Sequence, residues 1–257
     1  MILAAYWEGG FLDPGHSAEL CTLSSALPQA ANYHRWILNS IRRWLLGGRL
    51  LEVGFGYGQY TRALSSHFEQ VVAVDINPHA VAAFGSPPGN VSLDVADLSE
   101  PDFALRVGRQ HFDAVVCLNV LEHVSDHAVA LDNMRQTLAP GGLLLLLVPA
   151  HEALYGPMDE LAGHYRRYTR NSIAPLLCNC GYRIEDIRYF NPLGGIGWLL
   201  NTWFAKPKGL SDPLVNRQIL FFDRWVSPVS RFLDPLTRRW FGQSVLAVAR
   251  PQEGRAR

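Results

Sequence analysis

Apolar residues recur along this chain at two different spacings, and the two alternate. From Asn32, the stretch NYHRWILNSIRRWLL places Ile37, Leu38, Ile41 and Leu45 on one stripe, which predicts a helix ending at Gly47-Gly48. Five continuously apolar runs follow: RLLEVG (49–54), VVAVD (71–75), VSLDVAD (91–97), FDAVVCLN (112–119) and GLLLLLVP (142–149). Unbroken rather than alternating hydrophobicity predicts strands covered on both faces. The stretches between them have helical spacing, as in DHAVALDNMRQTL, where Ala128, Leu131, Met134 and Leu138 form a stripe. Such alternation predicts a doubly wound α/β fold with a mostly parallel sheet, whose ligands sit beyond the carboxyl ends of its strands.

Past Pro149 the rhythm changes. HEALYGPMDELAGHYRRYTR is polar and aromatic; a helix through Leu176 and Leu177 then stops at Gly181. YRIEDIRYF and SVLAVAR complete seven strands, with helical additions before the first and before the last. Between them, a loose repeat runs from Arg224 to Ser244 as RWVSPVS, RFLDPLT and RRWFGQS. Ser227-Pro228 and Asp234-Pro235 each resemble an N-cap followed by a first-turn proline, which predicts short successive helices. Residues 1–31, broken by Gly9, Gly10, Pro14, Gly15 and Pro28, read as an irregular arm or lid. Residues 32–257 then form one domain, with insertions at 150–170 and 191–242.

The length of 257 residues suits one domain with a substantial core. Basic and acidic residues number 23 each, so no net field draws a polyanion to the whole protein, and no nucleic-acid partner is expected. The four cysteines, Cys21, Cys117, Cys178 and Cys180, lack metal-hook spacing and read as reduced, mostly buried thiols. The N-terminus has no basic n-region, and the run Leu143 to Val148 is far too short for a bilayer span, so a soluble cytoplasmic protein is expected. Arginines 224, 231, 238 and 239 beside Trp225, Phe232 and Trp240 leave peripheral membrane contact open, although prolines interrupt the stretch. Oligomeric state is not set by the sequence.

The densest chemistry lies in LLEVGFGYGQYTRAL, Leu50 to Leu64, where Gly54, Gly56 and Gly58 stand between strand and helix. Glycine there permits φ > 0 and close approach of backbone N–H groups to a ligand. The position a third dinucleotide glycine would take is Gln59, and no Gly-Lys-Ser/Thr follows, so neither phosphate-binding pattern is met. The E-x-G-x-G-x-G turn instead resembles that of class I S-adenosylmethionine (SAM)-dependent methyltransferases. Asp75 ending the second strand, Asp97-Leu98 past the third, LNVLEHV after the fourth and LAPGG before the fifth match the same family in the same order. DExxGHYRRYT, Asp159 to Thr169, is similar to a block that a bacterial small-molecule subset carries after its fifth strand.

The resemblance implies a Rossmann-like methyltransferase fold with SAM as cofactor and S-adenosylhomocysteine as product. It implies a SAM site of Glu52, Gly54, Gly56, Gly58, Tyr60, Thr61, Asp75, Ile76, Asp97, Leu98, Asn119 and Val120. Glu52 would answer the ammonium, Asp75 the ribose hydroxyls. Singly, Asp75 also reads as a helix N-cap and Asp97 as a second cap.

Methyl transfer from a sulfonium needs alignment, exclusion of water and at most one base, for which histidine suits. His164, His123 and His151 fall on the acceptor side and are the candidates, His164 being favoured. Tyr165, Arg166 and Arg167 are expected at the acceptor, the arginines as a clamp for an anionic group or else in ion pairs with Asp159 and Glu160. Trp198 either walls the pocket or packs in the core. Asp126, Asp132 and Asn133 show no magnesium-ligand spacing, so no metal is expected. The expected function is SAM-dependent methylation of a natural-product or lipid-like small molecule, at oxygen before nitrogen or carbon. A SAM-binding cyclase or regulatory module is the alternative, since holding SAM does not prove delivery of its methyl. An RNA or protein methyltransferase fits less well, because NVLE stands where an N-P-P-Y-type motif would be.

Overall fold

The continuously apolar runs form the strands they predict. The computed structural model describes residues 29–45, 47–109, 111–197 and 213–252. Strands β1 (Arg49–Val53), β2 (Gln70–Asp75), β3 (Val91–Val95), β4 (Phe112–Leu118), β5 (Leu138–Pro149), β6 (Tyr182–Phe190) and β7 (Ser244–Pro251) make one sheet in the order β3-β2-β1-β4-β5-β7-β6. Strands β1 to β5 pair in parallel, whereas β7 runs antiparallel between β5 and β6. The strand order reverses at β1 and β4, and that switch point is where an open α/β sheet leaves a crevice.

Successive strand residues feed opposite layers. Leu51, Val53, Val115, Cys117, Leu144 and Leu146 join one buried cluster with Leu131 and Met134. Leu50, Val116, Leu145 and Leu147 join the other with Trp36, Ile37 and Ile41. Both faces are therefore apolar, as parallel strands require.

Helix α1 (Ala31–Ile41) is shorter than its apolar stripe suggests: a 3-10 turn, Arg42–Trp44, takes over before the glycine pair. Helices α2 (Thr61–Leu64), α3 (Pro78–Phe84) and α4 (Phe103–Val107) connect the first four strands. Helix α5 (His127–Thr137) buries Ala130, Leu131, Asn133, Met134 and Thr137; Ala128 is exposed, and Leu138 already belongs to β5. Helices α6 (Pro157–Leu161) and α7 (Arg170–Asn179) lie between β5 and β6.

The segment before β7 departs from the reading of short capped helices. Helix α8 (Pro213–Phe221), a π-helical stretch (Phe222–Val226) and helix α9 (Ser227–Thr237) follow without a break. Pro235 lies inside α9 rather than starting a helix, and Ser227 and Asp234 are buried instead of capping. Asp234 Oδ1 accepts from Asn191 N at 3.0 Å. Asp223 accepts from the N–H groups of Asn32 and Tyr33 at 3.2 and 2.8 Å, supplying the N-terminus of α1 with the cap that Ala30 lacks.

Cys117 is buried, Cys180 half-buried and Cys178 exposed, so the expectation of mostly buried thiols holds only for the residue inside a strand. The arm at 1–28, with Cys21, and Trp198, Trp203 and Phe204 lie outside the described residues.

Candidate active site

The strand-to-helix turn after β1 places three glycines in left-handed backbone: Gly54, Gly56 and Gly58 have φ of 74°, 54° and 73°. A side chain at Gly54 would collide with Val120 and one at Gly58 with the Phe84 ring, so the turn needs bare backbone for two reasons at once. Asp75 holds the turn in place. Its Oδ2 accepts from Gly56 N and its Oδ1 from Asn77 N, both at 2.9 Å. Each oxygen keeps a lone pair for a ribose hydroxyl. The N-cap of α3 is Asn77, whose side chain accepts from His79 N, and not Asp75.

Among the described residues, several buried polar atoms beside this turn have no hydrogen-bond partner: Glu52 Oε2, Gln59 Oε1 and Thr61 Oγ1. Burial pushes the Glu52 carboxyl up to about 7, with the Asp75 charge adding to the rise. Unsatisfied buried acceptors of this kind are costly unless a ligand supplies the donor. Glu52 Oε2 and Gln59 Oε1 fit the ammonium of SAM, and the Thr61 hydroxyl, which can donate, fits its carboxylate. Tyr60 is buried, its ring 5.0 Å from that of His34, and Ile76 is half-buried next to Asp75. Half-buried Asp97 turns the chain through Ser99, its Oδ1 accepting from the Ser99 N–H and hydroxyl at 2.8 and 2.7 Å, while helix α4 starts after Asp102 instead. Leu98 is buried, its carbonyl accepting from Asn133. Asn119 takes φ 53° directly after β4, and Val120 then packs on Gly54.

A second cluster of polar side chains forms where the 3-10 turn Leu121–His123 meets the GHYRRYT block. Tyr165 N donates to Glu122 O at 2.8 Å, clamping block to turn. His164 Nδ1 lies 2.7 Å from Asp159 Oδ1, which leaves Nε2 as its free nitrogen. The His164 ring meets that of His123 edge-on at 4.6 Å. Glu122 is wholly buried, and among the described residues both its carboxylate oxygens and both ring nitrogens of His123 lack a hydrogen-bond partner. Burial raises the Glu122 carboxyl to about 7, against the pull of His164 and Arg167. The same burial, with His164 alongside, holds His123 well below the ordinary histidine value. One donor atom from each of Glu122, His123 and His164 falls within 4.8 Å of the others, a set able to ligate a divalent cation. No sequence spacing announced this group, because Glu122 and His164 come from different loops.

Arg167 is buried against Asp159. Its Nε and Nη2 grip the two oxygens of Asp159 at 2.8 and 3.0 Å, and Nη1 donates to Ala150 O at 3.2 Å. The ion pair is buried, where a surface pair had been the alternative to a clamp. Burial alone would raise the Asp159 carboxyl; hydrogen bonding from His164 and the Arg167 charge outweigh it and hold the group below the usual carboxylate range. Arg166 reaches Ser125 O at 2.7 Å and lies 5.7 Å over the ring of the exposed Tyr165. His151, at φ 61°, is stacked between Tyr189 and Phe241, its ring centroid 4.7 and 5.1 Å from theirs. Burial, with the Arg167 charge adding to it, lowers the imidazole's pKa. A cavity of about 400 Å³ lined by Arg43, Trp44, Asp113, Gly141 and Arg250 opens beside the starts of β1, β4 and β5, away from this site.

Residues 35–187 match the model of the methyltransferase-domain family. A ubiquinone biosynthesis O-methyltransferase of Xanthomonas oryzae pv. oryzae is 35% identical over 192 residues, covering 69% of this chain and 77% of that one. Among solved structures, a SAM-dependent methyltransferase from Mesorhizobium loti superposes with TM-score 0.57 at 18% identity, over 82% of this chain and 96% of that one. The [4+2]-cyclase SpnF does so with TM-score 0.60 at 19% identity, over 86% and 81%. The strand order, the glycine turn with its unsatisfied acceptors and the family match agree, and the chain belongs to the methyltransferase-domain family as a SAM-dependent methyltransferase.

Proposed function

We propose that this chain methylates an oxygen of a small, natural-product or lipid-like acceptor, with His164 as the base that takes the acceptor's proton. The observation that carries the reading is the 2.7 Å pairing of His164 Nδ1 with Asp159. It fixes the tautomer and leaves Nε2 as the nitrogen able to take a proton. Arg167 keeps Asp159 ionised, so the imidazolium formed on proton uptake has a negative partner. Bound SAM supplies an electrophilic methyl on its sulfonium. Glu52, Asp75 and the turn from Gly54 to Gly58 hold that cofactor, with Tyr60, Thr61, Ile76, Asp97, Leu98, Asn119 and Val120 around it. His123, uncharged, lines the acceptor side, while Tyr165 and Arg166 form its rim.

The relatives' O-methyltransferase names favour oxygen over nitrogen or carbon. A neutral histidine also suits a phenolic hydroxyl better than an aliphatic alcohol, whose proton is far less acidic. Zero net charge favours a small molecule over RNA. The likeness to a cyclase is one of fold and adds no weight to that alternative.

Labelled-methyl transfer to a panel of phenols, amines and carbon acids tests this. His164→Gln is expected to lower kcat by about 10²–10⁴-fold while SAM affinity stays within about twofold. Label appearing on nitrogen or carbon, or turnover unchanged in the variant, ends the reading.

The unpartnered donors of Glu122 and His123 beside His164 support a second reading, in which a divalent cation polarises the acceptor oxygen. Dialysis against a chelator separates the two: activity lost and restored by added metal selects the cation, whereas unchanged activity selects the histidine base alone.

A further inference from the structure

The rod formed by α8, the π-helical stretch and α9 is built inside out. Its inward face is polar. Asp223, Ser227, Ser230 and Asp234, three or four residues apart, are all buried. Asp223 caps α1, Ser230 Oγ accepts from Leu193 N at 3.1 Å and donates to Asn191 Oδ1 at 2.8 Å, and Asp234 accepts from Asn191 N. Helical spacing puts the opposite stripe on Phe221, Trp225, Val229, Phe232 and Leu236, continued by Trp240. Every one of these is exposed, Phe232 by 78% and Trp240 by 73%. A helix that serves a soluble core presents the reverse arrangement.

The charges show what the outward face meets. Arg217, Arg224, Arg231 and Arg238 recur along one flank of the stripe, with Arg239 beside them, and all five are exposed. Both acids of the rod, Asp223 and Asp234, point inward. Exposed charge on this element is therefore wholly positive in a protein whose total charge is zero. Pro228 and Pro235 sit at exposed positions, and the helix continues through Pro235, so they do not disrupt the stripe. Among the described residues, no helix is long and apolar enough to cross a membrane.

From this pattern we infer that α9 and its neighbours dock the protein onto an anionic lipid surface, lying in the interface with Trp225, Phe232, Leu236 and Trp240 immersed and the arginines on lipid phosphates. A second copy is the poorer occupant, because the same face offers no acid to answer the arginines. The rod is tied to Asn191 after β6 and packs near Ser244 at the start of β7, at the end of the sheet that carries the glycine turn. Docking therefore sets the active-site end near the lipid. This inference stands apart from the choice of acceptor atom and base.

Flotation of the full chain tests it, with vesicles of phosphatidylcholine alone and of equal parts phosphatidylcholine and phosphatidylglycerol. The chain is expected to float with the second population only and to be released by raised salt. Phe232→Asp is expected to cut recovery about tenfold or more, and Arg231→Gln to weaken binding roughly fivefold. Both sites are exposed, and an unchanged thermal melt verifies that the variants fold. Three results overturn the inference: wild type wholly soluble with both vesicles; Phe232→Asp floating as wild type does; or a lipid-free dimer that Phe232→Asp dissolves.

Discussion

Glu52 holds a buried carboxyl whose Oε2 has no partner, so its proton belongs to the folded chain well above the ordinary range. The unfolded chain releases that proton at about 4.3. Between there and about 7 the folded state binds a proton that the unfolded state lacks, and stability contributed by this residue falls as pH rises. Above about 7 the loss is complete and level. Glu52→Gln removes this residue's share of the slope; melting of the SAM-free protein across this window is expected to show wild type losing roughly 4 kcal/mol more than the variant. At high pH the same variant binds SAM more weakly, because the ammonium loses its carboxylate. Parallel curves for the two proteins contradict this account. The sequence showed Glu52 beside the turn; its raised pKa was not legible, because it depends on the strands and the α2 turn that enclose it.

Helix α1 is joined to the rod before β7 by a cap from a residue 190 positions away, Asp223 to Tyr33. A side-chain cap is worth about 1 kcal/mol, and here its loss would also leave buried N–H groups without a partner. Asp223→Ala is expected to destabilise the protein by about 1–2 kcal/mol without moving SAM affinity, read by urea denaturation and calorimetry. An unchanged midpoint removes the cap from the stability of α1. This contact also explains why the Ser-Pro and Asp-Pro pairs misled. Their polar residues match the local signature of a helix start, and Pro228 does sit in the first turn of α9, yet Ser227 is buried, Asp234 bonds across to Asn191, and exposed positions let both prolines stay within one rod. The strands show the opposite case: the five apolar runs and the two later stretches YRIEDIRYF and SVLAVAR became the seven strands, with ends shifted by a few residues at most.

For the whole molecule, ligand and fold are linked through the orphaned acceptors at the turn after β1. S-adenosylhomocysteine at about a hundred times its Kd is expected to stabilise the folded state by about 2.7 kcal/mol. In a domain of this size that raises Tm by about 5–10 °C. Absence of any shift with a ligand shown by calorimetry to bind would mean that the site also forms in the unfolded chain. The sequence alone determined the parallel sheet, the glycine turn and its two aspartates, because strand hydrophobicity, glycine's tolerance of φ > 0 and a carboxylate at a strand end are all local properties. Only the tertiary structure decided the rest. It inserted β7 antiparallel between β5 and β6, paired Arg167 with Asp159 in the interior, and stacked His151 between two rings. It also brought Glu122 and His123 against His164 from loops about forty residues apart and turned the apolar face of α9 outward. Each of those outcomes depends on which groups lose water together, and that is set by the packing of distant segments, which no spacing along the chain records.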